Sequence, residues 1–235
     1  DGDPDILSRY RDGLDSSLAS EKILEVDVSM AGKSTRVPSG FQRSVPASLV
    51  MFVLMTMLFS GTTIAVERSE GILSRIASSP AVKAEILTGK LLGRMAIAGA
   101  QILFLLLAGR FLFRVDFGNA YFALFLLMTA FAFCAGALSL LFGSLFTNPD
   151  NVTGFAVVTA LVMSALGGCW WPLEMVSRPF RIIAMFLPTG WTIKGMNKII
   201  MFGYGLSSVG LNIIVLAAFG AVFLAAASRK LKLTP

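Results

Sequence analysis

The residues able to do chemistry in this chain are few, and most fall in one stretch. Glu67 to Lys90, ERSEGILSRIASSPAVKAEILTGK, is the only long charged segment lying between two uncharged apolar runs. Its acids and bases are interleaved, which suits contact with another surface, either a soluble partner or anionic lipid headgroups. Gly32-Lys33-Ser34 ends like a phosphate-binding loop. The full pattern needs a glycine at position 27, where the chain has Asp27, and Pro38 opposes the helix that must follow, so a plain turn is the better reading. Cys134 and Cys169 lack metal-ligand spacing and read as small packing residues. Histidine is absent, which removes the commonest general base and a common metal ligand. No catalytic residue is nominated, and neither a metal nor a cofactor is expected in this chain.

The composition shows what must position these residues. The 235 residues are 55% hydrophobic and 14% charged, against about 25% charged in a soluble domain. Several apolar runs reach the roughly 20 residues needed to cross a bilayer. The fold class predicted is an all-α polytopic membrane protein. A cleaved signal peptide does not fit runs this long and this far from the N-terminus. The net charge of +6 is spread through loops without interleaved aromatics, so it points to lipid headgroups and not to nucleic acid.

Residues 1–46 are polar, with eight acids against six bases, and Ile23, Leu24, Val26 and Val28 suggest a strand. They read as the C-terminal part of an extracytoplasmic domain, too short to fold alone. Residues 47–235 read as the transmembrane domain, with spans at about 47–66, 91–112, 120–146, 152–171 and 206–228. In the charged segment, Ile72, Leu73 and Ile76 fall on one face of a short amphipathic helix, with Arg68 and Arg75 away from it. Ser79-Pro80 is suited to cap and restart a helix towards Lys90.

The second span is bounded by Arg94 and Arg110, which are expected to snorkel to opposite interfaces. Gln101 shares a face with Arg94 and is a candidate for a substrate path, with an interhelical hydrogen bond as the plainer alternative. The third span carries Ala132, Gly136, Ser139 and Gly143 at a spacing that permits close helix packing. Between the fourth and fifth spans, Trp170, Trp171, Trp191 and Tyr204 alternate with Pro172, Pro179 and Pro188. Two interfacial or re-entrant helices, at about 173–187 and 189–202, fit that pattern. The basic tail Arg229-Lys230-Leu231-Lys232 argues for a cytoplasmic C-terminus.

No span carries an Asp, Glu, Lys or His at its centre. Proton- and ion-coupled carriers commonly use such groups, and membrane enzymes need a catalytic constellation. If the protein moves something uphill, a partner is expected to supply the energy. A cytoplasmic pair of helices at Glu67–Lys90 is a suitable handle for such a motor.

Ser39-Gly40-Phe41-Gln42-Arg43-Ser44-Val45-Pro46, leading into Val50-Met51-Phe52-Val53, resembles the start of the second transmembrane helix of ABC-2-type transporter permeases. Glu67-Arg68-x-x-Gly71-x-Leu73-x-Arg75, Ser79-Pro80 and Gly89-Lys90 are similar to that family's coupling segment. Pro172-Leu173-Glu174-Met175 with Leu187-Pro188-x-x-Trp191 resembles its outer re-entrant helices. Ala47 stands where a glycine often follows the proline, a mild departure.

The resemblance implies a permease subunit of an ABC exporter. It would carry six transmembrane helices, five of them visible here, so an upstream segment with the first helix is expected. It would pair with a second permease subunit, as a homodimer or heterodimer, and engage an ATP-binding-cassette ATPase that holds ATP and Mg. Its place would be the cytoplasmic membrane of a bacterium or archaeon, its role efflux of a hydrophobic or amphiphilic substrate. Glu67, Arg68, Gly71, Leu73, Arg75 and Pro80 would form or shape the ATPase contact, and Pro172, Pro188 and Trp191 the outer gate. The alternative is a permease-like scaffold or assembly protein that transports nothing.

Overall fold

The computed structural model describes residues 40–78, 80, 82–173 and 175–230, all within the unit Arg36–Pro235. The strand expected at Ile23 to Val28, the Gly32-Lys33-Ser34 turn, Ser39, Ser79, Glu174 and Lys232 lie outside the described residues. Every regular element among the described residues is a helix: α1 (Gly40–Phe59), α2 (Thr62–Ser69), α3 (Ile72–Ala77), α4 (Lys83–Phe111), α5 (Tyr121–Leu145), α6 (Pro149–Leu166), α7 (Arg178–Ala184), α8 (Pro188–Ile200) and α9 (Leu206–Lys230). Five segments are long and apolar enough to cross a membrane: Gly40–Ser69, which is α1 and α2 together, and then α4, α5, α6 and α9. The polytopic all-α class is what the structure has.

Helix α5 is the axis of the bundle and is buried along most of its length. Its small residues are why. Gly136 lies against Leu91 of α4, and Gly143 lies against Ile64 and the carbonyl of Gly61. Neighbouring backbones can approach only where no side chain intervenes. Leu127 of α5 in turn packs on Gly195 of α8.

The helices define two ends. At one, Leu73 of α3 joins Ile64, Leu87, Leu91, Leu140 and Ala227 in a buried cluster, which gathers α2, α4, α5 and α9 around α3. At the other, the Gln42 side-chain amide donates to the Asp116 carbonyl at 2.6 Å, tying the start of α1 to the α4–α5 link. Thr189 Oγ1 donates to the Met163 carbonyl at 2.6 Å, tying α8 to the end of α6. Helices α7 and α8 both lie at this second end and do not cross, as the prolines predict; Pro179 and Pro188 each sit in the first turn of their helix.

Several boundaries differ from the sequence reading, each for a local reason. The first span begins at Gly40, ahead of Ala47, and runs through Pro46. It then breaks at Ser60-Gly61 and continues to Ser69, so Glu67 and Arg68 belong to the span itself. Helix α4 starts at Lys83, because the Glu85 carboxylate accepts the Val82 N–H at 3.1 Å. Val82 is therefore the N-cap, Pro80 precedes the helix, and the stretch to Lys90 is the first part of the second span. Helix α6 ends at Leu166, leaving Trp170 and Trp171 in the loop that follows. Helix α7 is shorter than the expected 173–187.

Candidate functional site

The site is built on a backbone irregularity. At Ser60-Gly61 the helix tightens: the Gly61 N–H bonds to Leu58 O at 3.0 Å and the Ile64 N–H to Gly61 O at 3.2 Å, one residue short of the α-helical pattern. The Met57 carbonyl thereby loses its usual donor, the Ser60 carbonyl keeps only a long bond from the Thr63 N–H at 3.3 Å, and in a bilayer no water makes up the difference. Side chains do. Ser60 Oγ donates to Met57 O at 2.6 Å, and Thr63 Oγ1 donates to Ser60 O at 2.8 Å.

The remaining donor is Arg94 of α4. Its Nη2 donates to Ser60 O at 2.8 Å and to Thr63 Oγ1 at 3.3 Å, while Nε donates to Ser60 Oγ at 2.9 Å. Ser60 Oγ is also 3.0 Å from Ser139 Oγ of α5. Because the one hydroxyl proton of Ser60 is committed to Met57, Ser139 is the donor in that pair. Arg94 is only 5% exposed. The expectation that it snorkels to an interface is thus corrected: it turns into the bundle, where the broken helix offers it oxygen acceptors.

Nearer the α3 end, Lys90 forms an ion pair with Glu67, both partly buried. With Arg94 it makes two polar links from one face of α4, one helical turn apart, to α2 and the break before it. Thr62 Oγ1 lies 3.3 Å from Thr153 Oγ1 of α6. Helix α2 is in this way fixed to α4, α5 and α6.

Gly71 separates α2 from α3 with φ 72°, the left-handed region that a Cβ disfavours. It redirects the chain so that Leu73 points into the bundle while Ile72, Ser74 and Arg75 face outward. The amphipathic helix expected from Arg68 to Ile76 is therefore two helices, and Ile72 does not share the buried face of Leu73. The nominated contact residues divide accordingly. Arg75 and Pro80 are exposed, Leu73 is anchored inside, and Glu67 is paired. Arg68 is half-buried, its guanidinium 3.4 Å from the Phe146 carbonyl.

Gln101 of α4 donates its amide to Thr56 Oγ1 of α1 at 3.1 Å, on the same side of α4 as Arg94. At the other end, Trp191 Nε1 donates to Met185 O at 2.7 Å, which closes α8 onto the end of α7. Pro188 is buried in the first turn of α8, and Pro172 lines a cavity of about 130 Å³ with Arg43, Cys169 and Trp170. Burial pushes the Cys169 thiol up to about 12, so it stays protonated and inert. Among the described residues no cluster of His, Cys, Asp or Glu could hold a metal ion.

The family model for ABC-2 family transporter proteins matches residues 13–229 of the chain. The chain belongs to the ABC-2 transporter family. A similar curated relative is the linearmycin resistance permease protein LnrN of Bacillus subtilis (strain 168), 27% identical over 183 residues, which is 78% of this chain and 47% of the relative. The chain thus spans about half the length of that relative. No solved structure matches it.

The sequence reading missed the site's central residue. Arg94 looked like a boundary charge because its partners Ser60 and Thr63 are distant in sequence and unremarkable in type. The one available signal was Ser60-Gly61-Thr62-Thr63, a run of small polar residues inside an otherwise apolar span.

Proposed function

We propose that this ABC-2 permease is the membrane subunit of an exporter, moving a hydrophobic or amphiphilic substrate outward with ATP hydrolysed on a partner ATPase. The observation that carries the reading is α3: a six-residue helix set off by Gly71, plugged by Leu73 into four spans and presenting Arg75 outward. Its docking partner would be the ATPase, with Pro80 and the outer face of α3 as the contact and Glu67, Arg68, Gly71 and Leu73 holding that face in place. Force applied there reaches α2 and α4 through the Glu67–Lys90 and Arg94–Ser60 links.

On this reading the α3 end and the C-terminus are cytoplasmic, α7 and α8 lie on the outer side of a bacterial or archaeal cytoplasmic membrane, and Pro172, Pro188 and Trp191 shape an outer gate. ATP and Mg belong to the ATPase. A second permease subunit completes the path, to which Gln101 contributes. The relative's name, a resistance permease, supports efflux as the direction.

The test is to replace Gly71 and Arg75, then measure pull-down of the ATP-binding-cassette ATPase that co-purifies with the wild-type chain and the ATPase activity of the complex. Both are expected to fall. Wild-type values for both would remove the docking assignment. The scaffold reading predicts a stable complex whose ATPase activity does not respond to any substrate in vesicles.

A further inference from the structure

Between α7 and α8 lies a cleft of about 380 Å³, within the range of roughly 300–1,000 Å³ usual for small-molecule sites. Its walls are of two kinds. Phe202 and Tyr204, stacked with ring centroids 5.7 Å apart, supply apolar surface together with Leu173 and Met185. Arg181, Lys194 and Lys198 supply positive charge.

Local structure puts the cations there. Lys194 and Lys198 are four positions apart on one face of α8, and Arg181 stands in the last turn of α7. The Trp191–Met185 hydrogen bond closes the link between the two helices. Among the described residues, none of the three cations has a carboxylate partner. Lys198 donates to Ser208 O at 2.7 Å and to Asn212 Oδ1 at 3.1 Å, both neutral. Lys194 lies 5.7 Å from the Trp191 ring centroid.

Three like charges around one cleft repel one another, and apolar walls beside them weaken solvent screening. A ligand that relieves both conditions has an anionic head and an apolar tail. A simple anion would leave the aromatic wall unused, and a neutral lipid would leave the charges unanswered. We propose that this cleft binds an anionic amphiphile, its headgroup on Arg181, Lys194 and Lys198 and its chain along Phe202, Tyr204 and Leu173. Two sources have this chemistry, an anionic membrane phospholipid and an amphiphilic cargo with an acidic group. The site goes beyond the export reading and does not depend on ATPase docking.

The test uses the purified protein in phosphatidylcholine nanodiscs without ATPase. Binding is measured for fluorescent diacyl phosphatidylglycerol, for a single-chain alkyl phosphate, and for the choline-headed analogue of each. At least one anionic probe is expected to bind about tenfold or more tightly than its choline analogue. Arg181→Gln and Lys194→Gln should each weaken it on the order of fivefold, as expected for one surface cation facing an anionic lipid. Arg181→Lys should retain most of the binding, and Arg229→Gln, at the opposite end of α9, should leave it unchanged.

Tighter binding of phosphatidylglycerol assigns the cleft to the bilayer, and tighter binding of the alkyl phosphate assigns it to a single-chain cargo. Equal affinity for anionic and choline-headed probes would overturn the proposal. So would wild-type binding in both glutamine variants, or an equal loss in Arg229→Gln. Failure of the ATPase pull-down leaves all of these readouts intact, so the two readings fail separately.

Discussion

Arg94 Nε donates to Ser60 Oγ at 2.9 Å, from the second span to the break in the first. The guanidinium adds a charged donor to the Ser60 hydroxyl and to the Ser60 carbonyl, whose backbone donor is the Thr63 N–H at 3.3 Å. Removing it takes the strongest donor from both oxygens in an apolar bundle, where no water substitutes.

Arg94→Ala is therefore expected to destabilise the protein in detergent by about 2 kcal/mol, a magnitude tempered by the modest worth of polar contacts between membrane helices. Ser60→Ala should lose less, because Thr63 still donates to the Ser60 carbonyl. A double-mutant cycle read by thermal unfolding should give a coupling energy of about 1 kcal/mol between the two positions. Additive losses would show that the link carries no energy of its own.

The close approach behind that link rests on glycine. A Cβ on Gly143 would lie 2.5 Å from the Gly61 carbonyl and 2.8 Å from Ile64 Cβ, and one on Gly61 would lie 2.7 Å from the Ser139 carbonyl. These contacts are with backbone and a branched side chain, which cannot swing aside. Gly143→Ala is expected to lose about 1–3 kcal/mol of stability and Gly143→Leu more. Gly154→Ala, where nothing lies within 4 Å, serves as the control and should unfold like wild type.

Sequence and structure part company at identifiable points. The spans were legible because a bilayer demands long apolar runs, and the start of α8 because Pro188 suits a first helical turn; Pro179, read inside a helix at about 173–187, instead opens α7. The small residues of α5 were legible because Gly136, Ser139 and Gly143 recur on one face. Three features were hidden. The break at Ser60-Gly61 has no proline to mark it. The start of α4 depends on the reach of one side chain, Glu85, and the inward turn of Arg94 depends on which carbonyls a distant helix leaves open. All three are set by hydrogen-bond partners, which hydropathy does not record.

Gly71 separates two effects that a substitution usually mixes. Its φ is 72°, yet the nearest atom to an added Cβ is Ser74 Oγ at 3.7 Å. Room is available, so the penalty comes from backbone conformation alone, about 1–2 kcal/mol for a residue with a Cβ. Gly71→Ala should reduce ATPase pull-down and ATP-driven transport while leaving the unfolding temperature near wild type, because strain at the α2–α3 junction is relieved by local rearrangement of α3. Gly71→Asn, which tolerates the left-handed region better, should retain more of both activities. If Asn and Ala behave alike, the backbone conformation at this joint is not what the coupling needs.

Gln101 poses the sharpest choice between packing and path. Its amide donates to Thr56 Oγ1 at 3.1 Å, which links α4 to α1, while its carbonyl oxygen is buried without a hydrogen-bond partner among the described residues. A purely structural amide is replaceable by an apolar side chain of similar volume, since an unanswered carbonyl is itself unfavourable in an apolar setting. Gln101→Leu is then expected to match or slightly exceed wild-type stability. If the free carbonyl oxygen serves the substrate path, the same variant should lower the transport rate in reconstituted vesicles severalfold, with the ATPase complex still assembled; Gln101→Ala should do the same, and Gln101→Asn should recover part of the rate. Unchanged transport in both Gln101→Leu and Gln101→Ala would return this residue to helix packing.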